Sequence, residues 1–509
     1  MQPKNHKLIA FNDLERMIIQ QGFCTVCGAC EAACPIHAIK VEHEKPQRLY
    51  DCSEHIDTCP ICYDICPHTD ALIYEALRFV ADAPKRRENL GYYREILLAQ
   101  AANPSIRAAT KSGGVVNALL NFAISEKIID GAITSKASPA TSLKAKPSIS
   151  LVPDGMLSAV DSKIVPSAVA QAYGCAVFEH GKTHIAFVGI PCHVLGLRKL
   201  EAWRHKIIDG LEIIIGLFCL WGFSLSTVLE FLLDEYHIAV NEIQSVDLSA
   251  DAYIVNMENR QIRVPISKVK SHILNRCKTC LDFTSEYADL SIGGASPLKE
   301  WSIVIIRTRK GEEFFNKALT SGIIITKNVE EEPQALAHLI QLAVYKRKSA
   351  LQEMKTMRER GVYVPATAEL FVRPRPSEFS LLEGVNVEQI MTKNVVTLPP
   401  TLTISQFFKK IAEHHHIGFP VINESGKIIG IVTLQDAMKI TEEKRNNVSI
   451  GEIYTKKLIT IYPDNSVAEA LEKMDKHNVG RLLVFDKNDK LVGILTRSDI
   501  MHLIRKTLY

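Results

Sequence analysis

Twelve of the thirteen cysteines in this chain stand at spacings that could hold metal. The stretch CTVCGACEAACP (24–35) places Cys24, Cys27, Cys30 and Cys34 in a C-x2-C-x2-C-x3-C-P run, with Pro35 after the last thiol. Steps this short let thiolates from one tight loop reach several corners of an iron–sulfur cubane, a one-electron carrier. In the two-cluster form of the pattern, three thiolates hold one cubane and the fourth reaches across to another, so a second run is required. It exists as Cys59, Cys62 and Cys66, followed by Pro67, with Cys52 upstream. The crossing rule predicts one 4Fe–4S cluster on Cys24, Cys27, Cys30 and Cys66, and another on Cys34, Cys52, Cys59 and Cys62. The gap from Cys52 to Cys59 is wider than usual, so the loop there must bulge. Zinc sites and disulfides are the competing readings. Eight cysteines crowd between Cys24 and Cys66, and Met1–Ala10 is polar and basic without an apolar core. That favours metal ligands in a reducing cytoplasm over a secreted disulfide framework.

Four more thiols sit further along. Cys192 follows FVGIP, Cys219 ends IIGLFC, and Cys277 and Cys280 form a C-x-x-C pair in RCKTCLDF. The first two follow or end expected strands. Four thiols in one region could make a third iron–sulfur site, a zinc site with four thiolates, or buried structural cysteines packing as small hydrophobes. Spacing alone leaves these open. Cys175 belongs to no motif and reads as core.

The elements that must carry these residues come next. A chain of 509 residues implies three or four domains at roughly 100–200 residues each. Its 47% apolar and 23% charged content is that of ordinary globular protein. A net charge of +3, with no basic run interleaved with aromatics, gives no footprint for nucleic acid. Residues 1–88 read as a small ferredoxin-like domain that folds around its clusters rather than an oily core. Residues 89–361 read as an α/β domain in which HIAFVGI (184–190) and LEIIIGLFC (211–219) are buried strands. Val115–Lys127 and Gln334–Arg358 read as helices. The Ser/Pro/Lys-rich stretch 135–155 reads as a long surface loop, and the proline-bearing 362–385 as a linker. Ile213–Leu229 is uncharged but too short for a membrane span of ~20 residues, and Glu212 and Glu230 bracket it. A buried strand, a turn and a helix fit it better. No G-x-G-x-x-G follows a strand and no Walker A run occurs, so a Rossmann nicotinamide site or P-loop ATPase has no positive sign.

Several ordered motifs carry a resemblance. KSGGVVNALLNFAISEKIIDGAI (111–133), AFVGIPCHVLGLRKL (186–200), IGLFC (215–219), CKTCLDFTSEYADLSIGG (277–294) and VIIRTRKGEEFF (304–315) resemble the coenzyme F-420 hydrogenase/dehydrogenase β-subunit family. The resemblance runs from about residue 20 to 320. It implies an α/β domain that binds FAD beside a 4Fe–4S cluster and exchanges a hydride with coenzyme F-420. Carried over by position, it makes Cys192, Cys219, Cys277 and Cys280 ligands of a third cluster. It also places Ser112, Gly113 and Gly114 in the flavin region, where backbone amides at a helix entry can approach a phosphate. Lys163 and Arg307 fall in motifs that resemble flavin- or phosphate-contacting segments. No catalytic acid–base residue is expected.

The last part of the chain (386–509) is an internal repeat. IMTKNVVTLPPTLTISQFFKKIAE (390–413) matches IYTKKLITIYPDNSVAEALEKMDK (453–476), and GIVTLQDAM (430–438) matches GILTRSDIM (493–501), at a constant offset of 63. The pair resembles tandem cystathionine-β-synthase-type (CBS) domains. Their T-x-x-D pattern stands at Thr433/Asp436 and Thr496/Asp499, and the resemblance implies an adenosyl ligand such as AMP, ATP or S-adenosylmethionine. An ionised Asp suits paired ribose hydroxyls because charge-assisted hydrogen bonds are strong. The plainer alternative is a pair that only packs and forms a homodimer. His414–His416 reads as a solvated helix end.

The expectation is a multidomain α/β and α+β flavin and iron–sulfur oxidoreductase. It would link ferredoxin or a redox partner subunit to coenzyme F-420, with the CBS pair sensing adenylates. A ferredoxin-dependent reductase of another small substrate, and a non-catalytic electron-transfer or sensor subunit, are the alternatives.

Overall fold

The computed structural model describes residues 10–500 except 43–44, 53–58, 111, 139–140, 151–166, 204, 363, 365–381, 383, 415, 417, 478 and 498, together with 503. Lys163, most of the expected linker and residues 151–155 of the expected loop lie outside the described residues.

An eight-stranded sheet organises the middle of the chain. Its strands are β1 (Glu95–Ala101), β2 (Gly131–Ser138), β3 (Thr141–Ser150), β4 (Ile185–Gly189), β5 (Leu211–Leu217), β6 (Leu290–Ala295), β7 (Leu298–Ile306) and β8 (Ile324–Asn328), in the order β8-β1-β7-β6-β5-β4-β2-β3. The centre is parallel: β2 runs with β4, β4 with β5, and β5 with β6. This follows from composition. Every residue of β4 is buried and β5 reads LEIIIGL, the continuous apolar run of a strand covered on both faces. The cover is helical. Helices α1 (Val115–Ser125) and α5 (Arg309–Thr320) share one core with the sheet. Helices α2 (Val169–Phe178) and α3 (Pro191–Ala202) pack in another. Helices α4 (Leu225–Tyr236) and α6 (Pro333–Glu359) enclose a third core with a small antiparallel sheet of Ser245–Leu248, Ala252–Asn256 and Gln261–Pro265.

Two expectations are corrected. The stretch 135–155 is not a loop where it is described. Antiparallel pairing of β2 with β3 runs from Ala132↔Ser150 to a bulge at Ala137/Ser138. Pro147 is tolerated because β3 is the edge strand, with β2 as its only paired strand among the described residues. The cysteine-rich segment is also more than a wrap around clusters. Phe11, Leu14, Ile18 and Phe23 are buried in the same core as Tyr173, Phe187 and Leu197. Small residues permit the approach: a Cβ on Gly196 would lie 3.2 Å from Ala29 Cβ, and one on Gly174 3.2 Å from Ala32 Cα. The short helix Ala29–Ala32 is thereby seated on α2 and α3.

Ile213–Leu229 forms β5, a connection and the start of α4. Among the described residues, no helix is long and apolar enough to cross a membrane.

The repeat gives two hairpins in matching register, Gly418–Ile422 with Ile428–Thr433 and Arg481–Phe485 with Leu491–Thr496. Each copy's leading segment bridges to the other copy's hairpin, Thr392 to Ile494 and Thr455 to Ile431. The two halves therefore complete one another.

Candidate metal centres

Two neighbouring parallel strands deliver thiols from their carboxyl ends. Cys192 is the second residue of α3, just past β4, and Cys219 lies just past β5. This is where open α/β sheets place their ligands. Cys277 sits in the short helix Asn275–Lys278, with Cys280 just after it. The N-terminal thiols come from a tight loop in which Val26 (φ 57°) and Gly28 (φ 83°) are left-handed. Gly28 is required twice over: a Cβ there would also lie 2.7 Å from the Gln171 backbone nitrogen.

The thiols that feel one another's charge fall into three groups. Cys24, Cys27, Cys30 and Cys66 form one. Cys34, Cys52, Cys59 and Cys62 form the next, and Cys192, Cys219, Cys277 and Cys280 the third. Cys30 and Cys66 couple to Cys62, and Cys27 couples to Cys192. The group of Cys24 therefore stands between the other two. Among the described residues, no three His, Cys, Asp or Glu side chains are drawn together tightly enough to hold one metal ion. Thiolates on the corners of a cubane stand further apart than the ligands of a single ion.

The donor chemistry fits iron–sulfur clusters. Burial pushes the Cys24, Cys59 and Cys277 thiols up to about 12, and Cys219 to about 11. Neighbouring thiolates raise each group further, so four thiolates together require compensating cationic charge. Backbone amides already point at the sulfurs, Val26 N to Cys24 Sγ at 3.4 Å and Ala38 N to Cys34 Sγ at 3.2 Å. Two buried lysines stand close by. Lys199 Nζ donates to the carbonyls of Cys66 (2.6 Å) and Thr69 (2.8 Å). Lys346 Nζ donates to the Cys219 carbonyl at 2.5 Å. Burial works against the Lys346 charge, but Cys280, Cys219 and Cys277 hold its pKa above the ordinary value. Neither lysine carries a sequence signature, because each lies far along the chain from the thiols it meets.

The expected flavin residues are placed unevenly. Gly113 (φ 60°) and Gly114 (φ 68°) are left-handed and open α1. The Gly113 carbonyl accepts from Ala101 N at 2.7 Å, and the Ser112 carbonyl from Ser302 Oγ at 2.9 Å, which pins the turn to β1 and β7. Elsewhere in the sheet, among the described residues, Thr134 Oγ1 on β2 and Ser150 Oγ on β3 are buried polar atoms without a partner. Arg307 has a different role from the phosphate contact expected of it. It is fully buried, and all its donors go to protein: Ser291 Oγ (2.6 Å), the Leu90 and Tyr92 carbonyls (2.8 Å each), and Thr284 Oγ1 (2.8 Å) and carbonyl (3.2 Å). A guanidinium has five N–H donors, so none remains for a phosphate.

In the repeat, Asp436 Oδ2 accepts from Thr433 N (3.1 Å) and Oγ1 (2.6 Å). Asp499 Oδ2 accepts from Thr496 N and Oγ1, both at 2.7 Å. Each T-x-x-D is thus also a helix-capping box. Sequence reading missed Arg481. It is half-buried, and desolvation lowers its pKa to about 10 although the carboxylates of both Asp436 and Asp499 act to raise it. Its counterpart one repeat earlier is Gly418, where a Cβ would lie 1.8 Å from Arg481 Nη1. Cys175 is half-buried rather than core. The His414 and His416 rings pack on Phe419.

Comparison with known proteins places these features. Residues 96–173 match the model for the coenzyme F420 hydrogenase/dehydrogenase β-subunit N-terminus, and 182–332 that for its C-terminus. Residues 17–40 match a 4Fe-4S binding domain, and 387–443 and 450–506 match CBS domains. The coenzyme F420 hydrogenase subunit beta of Methanothermobacter thermautotrophicus is 27% identical over 280 residues, 54% of this chain and 99% of that protein. The coenzyme F420-dependent sulfite reductase of Methanocaldococcus jannaschii is 27% identical over 365 residues, 68% of this chain and 52% of that protein. A chain of the F420-reducing [NiFe] hydrogenase complex from Methanosarcina barkeri aligns with a TM-score of 0.50 at 25% identity, covering 54% of this chain and 95% of that one.

Proposed function

Over residues 96–173 and 182–332 the chain belongs to the coenzyme F420 hydrogenase/dehydrogenase β-subunit family of oxidoreductases, and from that premise we propose that it carries electrons between a one-electron partner and coenzyme F420. The observation that carries the reading is the succession of thiol groups. The Cys34 group leads to the Cys24 group, and that to the Cys192 group at the carboxyl ends of β4 and β5. When bound, 4Fe–4S clusters pass single electrons and FAD exchanges one or two, so together they join ferredoxin or a partner subunit to a hydride carrier.

The chain's own residues hold and orient. Twelve thiols would bind three clusters, and the Ser112–Gly113–Gly114 turn would present backbone amides to a flavin phosphate. Lys346 places buried positive charge beside the third thiol group, while Lys199, whose pKa burial lowers to about 7, donates to the Cys66 carbonyl. The T-x-x-D carboxylates, with Arg481 between them, would take an adenosyl ligand. Regulation would act through contact. Arg497, inside the second T-x-x-D, donates to the Ala202 carbonyl at 3.3 Å, at the end of the helix that begins beside Cys192.

Anaerobic purification with iron and flavin assays, followed by reduced coenzyme F420, tests the reading. About twelve irons, FAD and bleaching of the flavin are expected. About eight irons without flavin would turn the assignment to a two-cluster electron-transfer subunit. Turnover unchanged by saturating AMP, ATP and S-adenosylmethionine would refute the regulatory part. The relative that acts on sulfite favours a second reading, a reductase of another small substrate. Unaltered flavin absorbance on adding coenzyme F420 would support that one.

A further inference from the structure

Strand β6 reads LSIGGA and lies inside the eight-stranded sheet, between β5 and β7. Its first three residues are buried, Gly293 is half-buried and Gly294 is exposed. Glycine inside a strand marks a bulge or a place where a ligand or another chain segment comes close. A bulge does follow, at Gly294/Ala295, and bulges recur beside active sites, where they re-aim a strand. Successive strand residues face opposite sides of a sheet. Ile292 belongs to the core shared with α1, so Gly294 lies on that face and Gly293 on the other.

Gly293 is occupied from its own side. A Cβ there would run into the Phe218 ring. Phe218 immediately precedes Cys219, and its backbone N–H donates to the Ile292 carbonyl at 3.2 Å. Its ring centroid lies 5.5 Å from that of Phe283, whose carbonyl accepts from Cys219 N at 2.9 Å. The third thiol group therefore reaches the sheet at Gly293.

Gly294 is open. Among the described residues, a Cβ there would meet Ser112 Cβ within 4 Å and nothing else, at 4.0 Å, an ordinary contact. Gly294 pairs with Ser302 on β7, and Ser302 Oγ donates to the Ser112 carbonyl at 2.9 Å. The open place thus adjoins the turn that enters α1. It also lies beyond the end of β5, which pairs with β6 over Leu290, Ser291 and Ile292. That is the carboxyl edge of the parallel strands, where such sheets bind ligands.

We propose that the isoalloxazine ring of the flavin is seated on the bare backbone of Gly294, with its phosphate end toward the Ser112–Gly114 turn. The proposal rests on the flavin reading above and adds the seat of the ring. Two arguments select the ring as the occupant. A flat aromatic group fits a strand surface that presents backbone without a side chain. The redox-active end of a flavin has to lie near the thiols, and its phosphate end does not. A ring on Gly294 has one strand of backbone between it and Phe218, the neighbour of Cys219.

The test titrates FAD, and separately riboflavin, into the full chain, purified without air and freed of its flavin. Quenching of flavin fluorescence is the readout, and iron is counted in every sample. Gly294→Ala and Gly294→Leu add a side chain where the protein itself leaves room, so iron content and the unfolding midpoint are expected to stay at wild-type values. Gly294→Leu is expected to weaken both ligands roughly tenfold or more, the scale of forcing methylenes into a filled site. Gly294→Ala is expected to weaken them by less. Riboflavin carries the ring without phosphate. Loss of FAD affinity in Gly294→Leu, with riboflavin held as tightly as by the wild type, overturns the seating of the ring. Wild-type FAD affinity in Gly294→Leu overturns the proposal outright and leaves the functional reading standing. If Gly294→Leu does not assemble its iron, Gly294→Ala is read in its place, and unchanged FAD affinity there overturns the proposal equally. A wild-type chain that assembles its clusters and binds no flavin overturns the flavin reading, and the seat with it.

Discussion

The residues that could be recognised in isolation and those that could not differ in how they act. A cluster ligand works through its own atom and keeps its neighbours close, so cysteine spacing exposes it. Arg198 works through partners that no local pattern predicts. Its guanidinium binds Asp289 at 2.8 Å, Glu201 at 2.5 Å and the Tyr287 carbonyl at 2.7 Å. Asp289 also accepts from Ile214 N and Thr308 Oγ1. Burial alone would raise the Asp289 pKa, but Arg198, Lys310 and these donors hold it below the usual carboxylate value. The sign of the linkage follows. A depressed carboxyl stabilises the fold above the unfolded value of about 3.9 and loses that contribution as pH falls through the folded value. The stability difference between wild type and Asp289→Asn, from denaturant unfolding, should therefore be constant from about pH 5 to 7 and shrink below about pH 4. A difference that grows on acidification would refute the pairing.

At the scale of elements, strand composition predicted the centre of the sheet and misjudged its edge. HIAFVGI and LEIIIGLFC were legible because parallel strands covered on both faces are apolar throughout. The β2–β3 ribbon was not, because an edge strand needs neither an apolar run nor an N–H at every position, and Pro147 disguised it. The turn at Ser112–Gly114 is the element on which the flavin proposal leans. Gly113 combines φ 60° with backbone atoms of Ala99, Glu300 and Ser302, each 3.1 Å from where a Cβ would sit. Gly113→Ala should cost at least the roughly 1–2 kcal/mol of a left-handed alanine and lower the FAD recovered per mole of folded protein. Wild-type flavin content in a variant destabilised by that amount would remove this turn from the flavin site.

At the scale of the whole molecule, the proposed crossing of ligands between the two N-terminal runs has the sharpest consequence. Cys66 follows Cys59 and Cys62 in sequence, yet it couples to Cys24 and Cys27. Cys66→Ser should therefore lose about four irons from the cluster beside Cys192 and spare the one on Cys34, Cys52, Cys59 and Cys62. Low-temperature EPR of the remaining clusters should then show the third cut off from its neighbour. Loss of the Cys34 cluster instead would refute the crossing.

What the sequence determined by itself was whatever short-range chemistry demands. Cluster thiols must come from a few tight loops, two-faced parallel strands must be apolar, and a repeated fold must repeat its motifs at one offset. The tertiary structure alone decided which groups meet across the chain. It sets Thr25, His68 and Arg276 in one hydrogen-bonded line, though 208 residues separate the last two. It commits every donor of Arg307 to carbonyl and hydroxyl oxygens of the protein, and it brings Arg481 under the influence of the carboxylates of Asp436 and Asp499. The reason is physical. A hydrogen bond or ion pair between distant residues needs only that packing bring two groups within about 3 Å, and that leaves no spacing in the sequence to read.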